Sequence, residues 1–168
     1  MQRAALPVVL ISFLALGWWL APYLQQQLRG AETVTLLDGA DCRQTDSNGI
    51  IHNQWPCSAT LQDGSQLSLT LDPANTPPLA VLNIQLHYQG NALPDEMRLR
   101  FEGDDMYMGE TPVFLKHSEF DPQRWEGNGS LAICTRERMA WRATVSLHYP
   151  SEVFEIPFRF DAVAPATN

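Results

Sequence analysis

Basic residues are scarce in this chain of 168 residues, where 11 Lys and Arg stand against 19 Asp and Glu. Arg3 and Arg29 precede residue 31 and every acidic residue follows it, so residues 31–168 carry 9 basic and 19 acidic side chains, a formal charge of −10. Nucleic-acid binding needs a basic face, and anionic lipid headgroups attract basic segments. The charge therefore excludes nucleic acid as a partner and argues against adhesion to anionic lipid. It either attracts metal cations or basic protein surfaces, or serves only solubility.

The sequence motifs of common enzymes are missing. The chain contains no His-Glu-x-x-His, no Gly-x-Ser-x-Gly elbow and no glycine-rich phosphate loop. Its adjacent acidic pairs, Asp104 with Asp105 and Asp95 with Glu96, would point to opposite faces of a strand and are poorly placed for paired acid–base work. We therefore expect that the protein is not an enzyme.

Long apolar runs are confined to one stretch, Ala4–Leu24, which has 21 residues and no charged side chain. About 20 apolar residues span a bilayer as a helix, so we predict one transmembrane helix, with the N-terminus in the cytoplasm and the rest of the chain outside. A cleaved signal peptide is the alternative. It would end in small residues, which the bulky Trp18-Trp19-Leu20 and the following Pro22 match poorly.

Helical periodicity is absent after this anchor, and short runs of alternating apolar and polar residues take its place. Turn signals between them, among them Gly127-Asn128-Gly129, have the spacing of an antiparallel sandwich. We predict an all-β fold, an immunoglobulin-like or cupredoxin-like antiparallel β-sandwich, with Pro157 marking an edge strand. The domains are an anchor and tether (1–30), the sandwich (31–161) and a disordered tail (162–168). The predicted strands are residues 32–38, 57–61, 66–71, 82–88, 97–101, 141–149 and 154–160.

Cysteine is scarce, with three residues in the chain. Cys42 and Cys57 flank a polar segment that contains Asn48-Gly49, and a disulfide between them would stabilise the domain by about 3 kcal/mol. Cys134 would then be left as a metal-binding or reactive thiol, a partner for another chain, or a buried free thiol. Pairing of Cys134 with Cys42 or with Cys57 is also open.

Soft sulfur ligands concentrate in two segments. Met106 and Met108, two residues apart within Gly103–Gly109, would place both thioethers on one side of an extended backbone. Cys134 and Met139 offer a thiolate and a further thioether, and this ligand set selects Cu(I) over hard cations. The alternative is that Met106 and Met108 only fill the core, as methionine often does. The polar, turn-rich surroundings favour an exposed rim instead.

The residues Met106-Tyr107-Met108-Gly109, Gly129-Ser130-Leu131-Ala132-Ile133-Cys134-Thr135 and Met139-Ala140-Trp141, together with the earlier Cys42 and Cys57, resemble a family of single-pass, periplasm-facing bacterial proteins. This family is associated with copper delivery and cytochrome oxidase assembly. The resemblance implies an inner-membrane protein with a periplasmic C-terminal domain, and Met106, Met108, Cys134 and Met139 as Cu(I) ligands. The Cys-x-x-x-Cys pair of Sco-type copper chaperones is absent.

Three functions are therefore expected as alternatives. The first is a Cu(I) metallochaperone or accessory protein that serves a membrane complex, such as a terminal oxidase or its assembly factors. The second is a metal-free assembly or scaffolding module that contacts such a complex through its sandwich edge. The third is a thiol redox role for Cys134, which lacks a nearby Cys-x-x-Cys partner.

Overall fold

The computed structural model describes residues 33–132 and 138–163, whose regular secondary structure consists of strands. Within these ranges no helix has the length and apolar character that a membrane span requires, and the predicted anchor at Ala4–Leu24 lies outside them. The strands are β1 (Thr33–Leu36), β2 (Ala40–Asp41), β3 (Arg43–Thr45), β4 (Ile51–Asn53), β5 (Cys57–Thr60), β6 (Gln66–Asp72), β7 (Leu82–Gln89), β8 (Glu96–Gly103), β9 (Glu110–Val113), β10 (Leu115–His117), β11 (Arg124–Gly129), β12 (Arg138–His148) and β13 (Glu152–Val163).

Two large sheets contain most of these strands. The six-stranded sheet has the order β1-β13-β12-β8-β9, with β2 paired to β13 as well, and the five-stranded sheet has the order β10-β11-β7-β6-β5. Hydrogen-bonded neighbours among β5 to β13 run antiparallel, whereas β2 runs parallel to β13. The predicted all-β class with antiparallel sheets is therefore confirmed.

Alternation of side chains explains why the two sheets face each other. In β6 and β7 every second residue is buried, because side chains of a strand point alternately to the two sides of a sheet. The inward residues of both sheets join one core. Each large side chain buried there stabilises the fold by about 1.5–3 kcal/mol. The bulkiest fully buried side chains are Trp141, Tyr88, Phe101, Phe158 and Phe160.

The disulfide ties the two sheets together. Cys42 follows β2 in the six-stranded sheet and Cys57 begins β5, the outer strand of the five-stranded sheet, and the two are joined covalently. The Cys42 amide also donates a hydrogen bond to the Arg159 carbonyl at 2.8 Å. Between the two cysteines, β3 and β4 form the hairpin that Asn48-Gly49 indicates, with Gly49 at a φ of 79°.

One residue of the small hairpin attaches it to β13. The Asn53 side chain donates from Nδ2 to the Asp161 carbonyl at 2.7 Å and accepts from the Asp161 amide at 2.9 Å through Oδ1. These two bonds satisfy both backbone groups of a residue that the core buries. The β3–β4 hairpin is thus held by the Asn53 side chain, which forms with Asp161 the two hydrogen bonds that the backbone of a neighbouring strand would form.

The edge position predicted from Pro157 is wrong, because β13 lies between β12 on one side and β1 and β2 on the other. The carbonyls of Glu155 and Arg159 accept hydrogen bonds from the β1–β2 side, so Pro157, at the same parity along the strand, faces that side too. It lies opposite the interruption between β1 and β2, where no ladder hydrogen bond is needed. A Cβ on Gly39 would lie 1.7 Å from the Pro157 carbonyl oxygen, so this interruption requires glycine.

The turn predicted at Gly127-Asn128-Gly129 is also wrong, since these residues belong to β11. A Cβ on Gly129 would lie 2.9 Å from Val113 Cγ2 and 3.1 Å from Phe101 Cε2, both side chains of the opposite sheet. Glycine here permits close approach of the sheets rather than a turn. Near the C-terminus, β13 extends to Val163, two residues into the segment predicted to be a disordered tail.

Candidate functional site

Met106 and Met108 lie in the loop that joins β8 to β9, not on a strand. The Asp104 amide donates a hydrogen bond to the Ala140 carbonyl at 3.0 Å, which continues the alignment of β8 with β12 one step beyond the Gly103–Trp141 pair. At the other end of the loop Gly109 has a φ of 80°, a conformation that favours glycine. We call residues 104–109 the Met loop. Its base is attached to the start of β12, the strand that carries Met139.

Gly103 marks the point where the Met loop meets Met139. A Cβ on Gly103 would lie 2.1 Å from the Met106 carbonyl oxygen and 2.8 Å from Met139 Cε. The backbone of Met106 and the terminal methyl of Met139 therefore both lie against Gly103, with no space between them for a side chain. Two of the predicted ligand residues, far apart in the sequence, are thereby brought together.

The three thioethers of this region differ in exposure. Met106 is 41% exposed and Met139 is 3% exposed, while Met108 is half-buried and packs against the core. The exposure of the three side chains thus decreases from Met106 at the solvent, through Met108, to Met139 in the core. Methionine is flexible and adapts to such irregular surroundings. The core-filling alternative fits Met139 and part of Met108. It does not account for Met106.

Cys134, the predicted thiolate ligand, lies outside the described residues, which resume at Arg138. Because the chain has three cysteines and the disulfide joins Cys42 to Cys57, Cys134 is the cysteine left over in the sequence. It precedes Met139 by five residues.

Charged groups at the base of the Met loop are engaged with one another. Asp104 lies 3.6 Å from Arg142 Nη1 and 3.6 Å from Arg159 Nε, and Arg142 Nε also donates to Glu102 at 3.1 Å. These ion pairs hold the first residue of the loop over β12 and β13. The Asp104 carboxylate is thus already paired with two guanidinium groups. The donor atom that the loop and Met139 have in common is sulfur.

Harder ligands form no comparable group. Across residues 33–132 and 138–163, no set of three or more His, Cys, Asp or Glu side chains is arranged to hold a metal ion. His117, nine residues after Met108, belongs to β10 in the other sheet. Its Nε2 forms a 2.8 Å hydrogen bond with the Pro122 carbonyl, and its ring meets Trp125 edge-on at 4.7 Å.

The aromatic residues Tyr107, Trp125 and Trp141 differ in where they lie relative to the Met loop and the core. Trp141 and Trp125 are buried core residues on different sheets, whereas Tyr107 in the Met loop is 84% exposed. Trp141 follows Met139 by two residues on β12, so both side chains enter the core from the same face of the strand.

Sequence reasoning missed two exposed aromatic residues, Phe114 and Phe120, which are 87% and 95% exposed. They flank a groove of about 710 Å³ on the outer face of the five-stranded sheet. One signal was present in the run Val113-Phe114-Leu115, because three successive apolar residues of an extended chain cannot all point into one core.

No family model and no curated protein matches the chain. Among solved structures, it is similar to the crystal structure of a DUF4785 family protein from Legionella pneumophila, with a TM-score of 0.42 and 12% sequence identity. The match covers 60% of this chain and 28% of that protein, so the chain spans less than a third of the neighbour's length.

Proposed function

We propose that this protein is a membrane-anchored periplasmic accessory protein that binds Cu(I) through Met106, Met108, Met139 and Cys134 and passes it to a membrane complex such as a terminal oxidase or its assembly factors. The observation that carries the proposal is that the Met106 backbone, in the Met loop, and the Met139 side chain both pack against Gly103. In this proposal an immunoglobulin-like or cupredoxin-like sandwich supports the site.

The chemistry of the donors favours Cu(I). Thioether and thiolate sulfurs are soft ligands, which select Cu(I), and carboxylate-rich sites suit Mg²⁺ or Ca²⁺. The exposed Met106 is the ligand that reaches solvent and a docking partner first, whereas the buried Met139 lies against the base of the loop. A site with one accessible face suits transfer of the ion between proteins.

Cellular location is supported by two independent features. A disulfide such as Cys42–Cys57 persists in an oxidising compartment, and Ala4–Leu24 has the length and apolar character of a membrane anchor. Both agree with a domain held at the outer surface of a bacterial inner membrane. The formal charge of −10 in residues 31–168 attracts cations and basic partner surfaces toward that domain.

A metal-free assembly module is the second candidate. It is favoured by the exposure of Tyr107 and Met106 in one loop, because an aromatic and a methionine side chain together form an adaptable contact surface. In that case the loop contacts the membrane complex directly, and its sulfur atoms are replaceable by carbon.

Replacement of sulfur by carbon tests the first candidate against the second. Met106→Leu with Met108→Leu keeps apolar volume and removes both thioethers. We expect the Cu(I) affinity to fall on the order of a hundredfold, about 3 kcal/mol. The measurement is an anaerobic titration of the full-length chain in detergent against a chromogenic Cu(I) chelator, alongside a free-thiol count under denaturing conditions.

The matched control is Met97→Leu. Met97 is a buried methionine of β8 that lies six residues before Gly103, outside the Met loop. This substitution should leave the Cu(I) affinity unchanged. One free thiol per chain and loss of binding in Cys134→Ser would agree with the proposal. Undiminished affinity in the double variant would show that the sulfur site is wrong and would leave the assembly module.

A further inference from the structure

The outer face of the five-stranded sheet carries an ordered array of polar side chains. The register aligns Thr70 with Gln85 and Gln85 with Glu126 in one row across β6, β7 and β11. The next row consists of Asp72, Asn83 and Asn128. Neighbouring strands lie about 4.8 Å apart, and alternate residues of one strand about 6.8 Å apart. The array is thus a regular grid of amide, hydroxyl and carboxylate groups.

The amides of this grid are available to a ligand. Among the described residues, the side chains of Asn83, Gln85 and Asn128 form no hydrogen bond with the protein, and all three are exposed. Each amide offers an acceptor oxygen and two donor hydrogens in one plane. Three such groups in two adjoining rows can bind several hydroxyl groups of one ligand at once.

Two aromatic residues rise beside the grid. Phe114 lies between β9 and β10, and a Cβ on Gly127 would lie 2.7 Å from its carbonyl oxygen. Glycine at position 127 therefore lets the Phe114 backbone approach β11 closely. Phe120 is carried by the turn between β10 and β11, and both rings line the groove of about 710 Å³, a volume within the range of small-ligand sites.

The Phe120 turn is held in place by its own hydrogen bonds. The Ser118 amide donates to the Arg124 carbonyl at 2.9 Å and the Arg124 amide to the Asp121 carbonyl at 3.0 Å. His117 closes the turn from the strand through its 2.8 Å bond to the Pro122 carbonyl. The ring of Phe120 is therefore presented to solvent on an ordered support, and an exposed aromatic pair of this kind marks an interaction site.

We propose that this groove binds a neutral glycan chain. A sugar ring has an apolar C–H face, which stacks on an aromatic ring such as Phe114 or Phe120, and a rim of hydroxyls, which the amides and carboxylates of the grid hold by hydrogen bonds. The charged residues that line the groove are Asp72, Glu119 and Glu126 against Lys116, a formal charge of 1 − 3 = −2. This charge disfavours phosphorylated and other anionic ligands.

The proposal is independent of copper, since no residue of the groove belongs to the Met loop or to Met139. Its test is isothermal titration calorimetry of the full-length chain with cellohexaose, chitohexaose and maltohexaose, three neutral hexasaccharides that differ in linkage and substitution. The detergent must be zwitterionic, because a sugar headgroup would compete. We expect one-to-one binding of at least one of them.

Variants locate the binding. Phe114→Ala with Phe120→Ala should weaken it by about tenfold or more, as expected when apolar contact area is lost, and so should Asn83→Ala with Asn128→Ala. Tyr107→Ala is the matched control, an exposed aromatic outside the groove, and should leave the affinity unchanged. No binding of any hexasaccharide at about 5 mM, or binding that both double variants retain, would overturn the proposal. Binding of an unstructured peptide at the groove in place of the sugars would overturn it too.

Discussion

Gly103 is the residue on which the geometry of the Met loop depends. In Gly103→Ala the new Cβ would contact the Met106 carbonyl oxygen, a backbone atom, and the Met139 methyl. Because backbone cannot rotate away, the loop must shift from β12. We expect a loss of about 1–3 kcal/mol in the free energy of unfolding, measured by urea denaturation, and a weaker Cu(I) affinity of the folded protein.

Gly129→Ala is the comparison for this substitution. Its Cβ meets the side chains of Val113, Phe101 and Ile84, so it also crowds the core but leaves the Met loop untouched. It should lower stability without changing the Cu(I) affinity of the folded fraction. Equal Cu(I) affinity of Gly103→Ala and the unaltered protein would contradict the role given to this contact.

At the scale of the elements, the Cys42–Cys57 bond fastens β2 to β5 across the two sheets. The closed loop has a sequence separation of 15 residues, for which the chain-entropy model gives about 3 kcal/mol. Cys42→Ala with Cys57→Ala should therefore lower the free energy of unfolding by about that amount, read from urea unfolding followed by tryptophan fluorescence.

The Cu(I) affinity of the same double variant is the internal control. Both cysteines are distant in sequence from the Met loop, and Cys134 is unaltered, so the affinity should remain that of the starting protein. A stability loss below about 1 kcal/mol would contradict the entropic account of this cross-link.

The strands that were predicted are those with a clear period of two. In sequence, β6, β7, β8, β12 and β13 alternate apolar with polar residues, which predicts each of them. The structure buries alternate residues of β6, β7 and β8, and in β12 and β13 it also buries polar residues such as Thr144 and Asp161. β9, β10 and β11 were missed because they are short or contain glycines whose role appears only when the opposite sheet is present. Gly127 and Gly129 resemble a turn in sequence and act as contact points in space.

Only part of the candidate site can likewise be predicted from the sequence. The residue types and the polar setting of Met106 and Met108 were read from sequence, and so was the leading disulfide pair. The contact of the Met loop with Met139 depends on the pairing of β8 with β12, which no local pattern specifies. The groove beside Phe114 and Phe120 depends on the register of four strands, which is likewise a long-range property.

For the whole molecule, carboxyl groups set the pH range of stability. Hydrogen bonds from Arg100 lower the pKa of Glu155, those from Arg43 lower the pKa of Asp41, and Ser65 has the same effect on the pKa of Asp63. A carboxyl whose pKa is lower in the folded than in the unfolded state stabilises the fold above its unfolded pKa, about 4. This contribution is lost as pH falls through the folded pKa.

We therefore expect the urea midpoint to be steady near neutral pH and to fall progressively below about pH 5. Glu155→Gln removes one carboxyl that Arg100 holds at 2.7 Å and 3.0 Å. It should lower the midpoint at pH 7 and have a smaller effect near pH 2, because protonation of the unaltered Glu155 carboxyl removes the same interaction as pH falls. An equal loss at both pH values would contradict this account.

The alkaline limit has a different origin. Burial raises the pKa of Tyr149, and a hydrogen bond to Tyr88 at 3.2 Å adds to the shift. A phenol whose folded pKa lies above its unfolded value of about 10 favours the fold while it is protonated, so stability declines as pH rises above 10.

The single residue between β9 and β10 has a consequence for self-association. Phe114 carries the chain from the outer strand of one sheet directly to the outer strand of the other, and on the opposite side the Cys42–Cys57 bond joins β2 to β5. Exposed strand edges are templates on which another chain can add a strand and start aggregation. With β9 and β10 turned into a corner and β5 tethered, we expect these edges to be poor templates for strand addition by a second molecule.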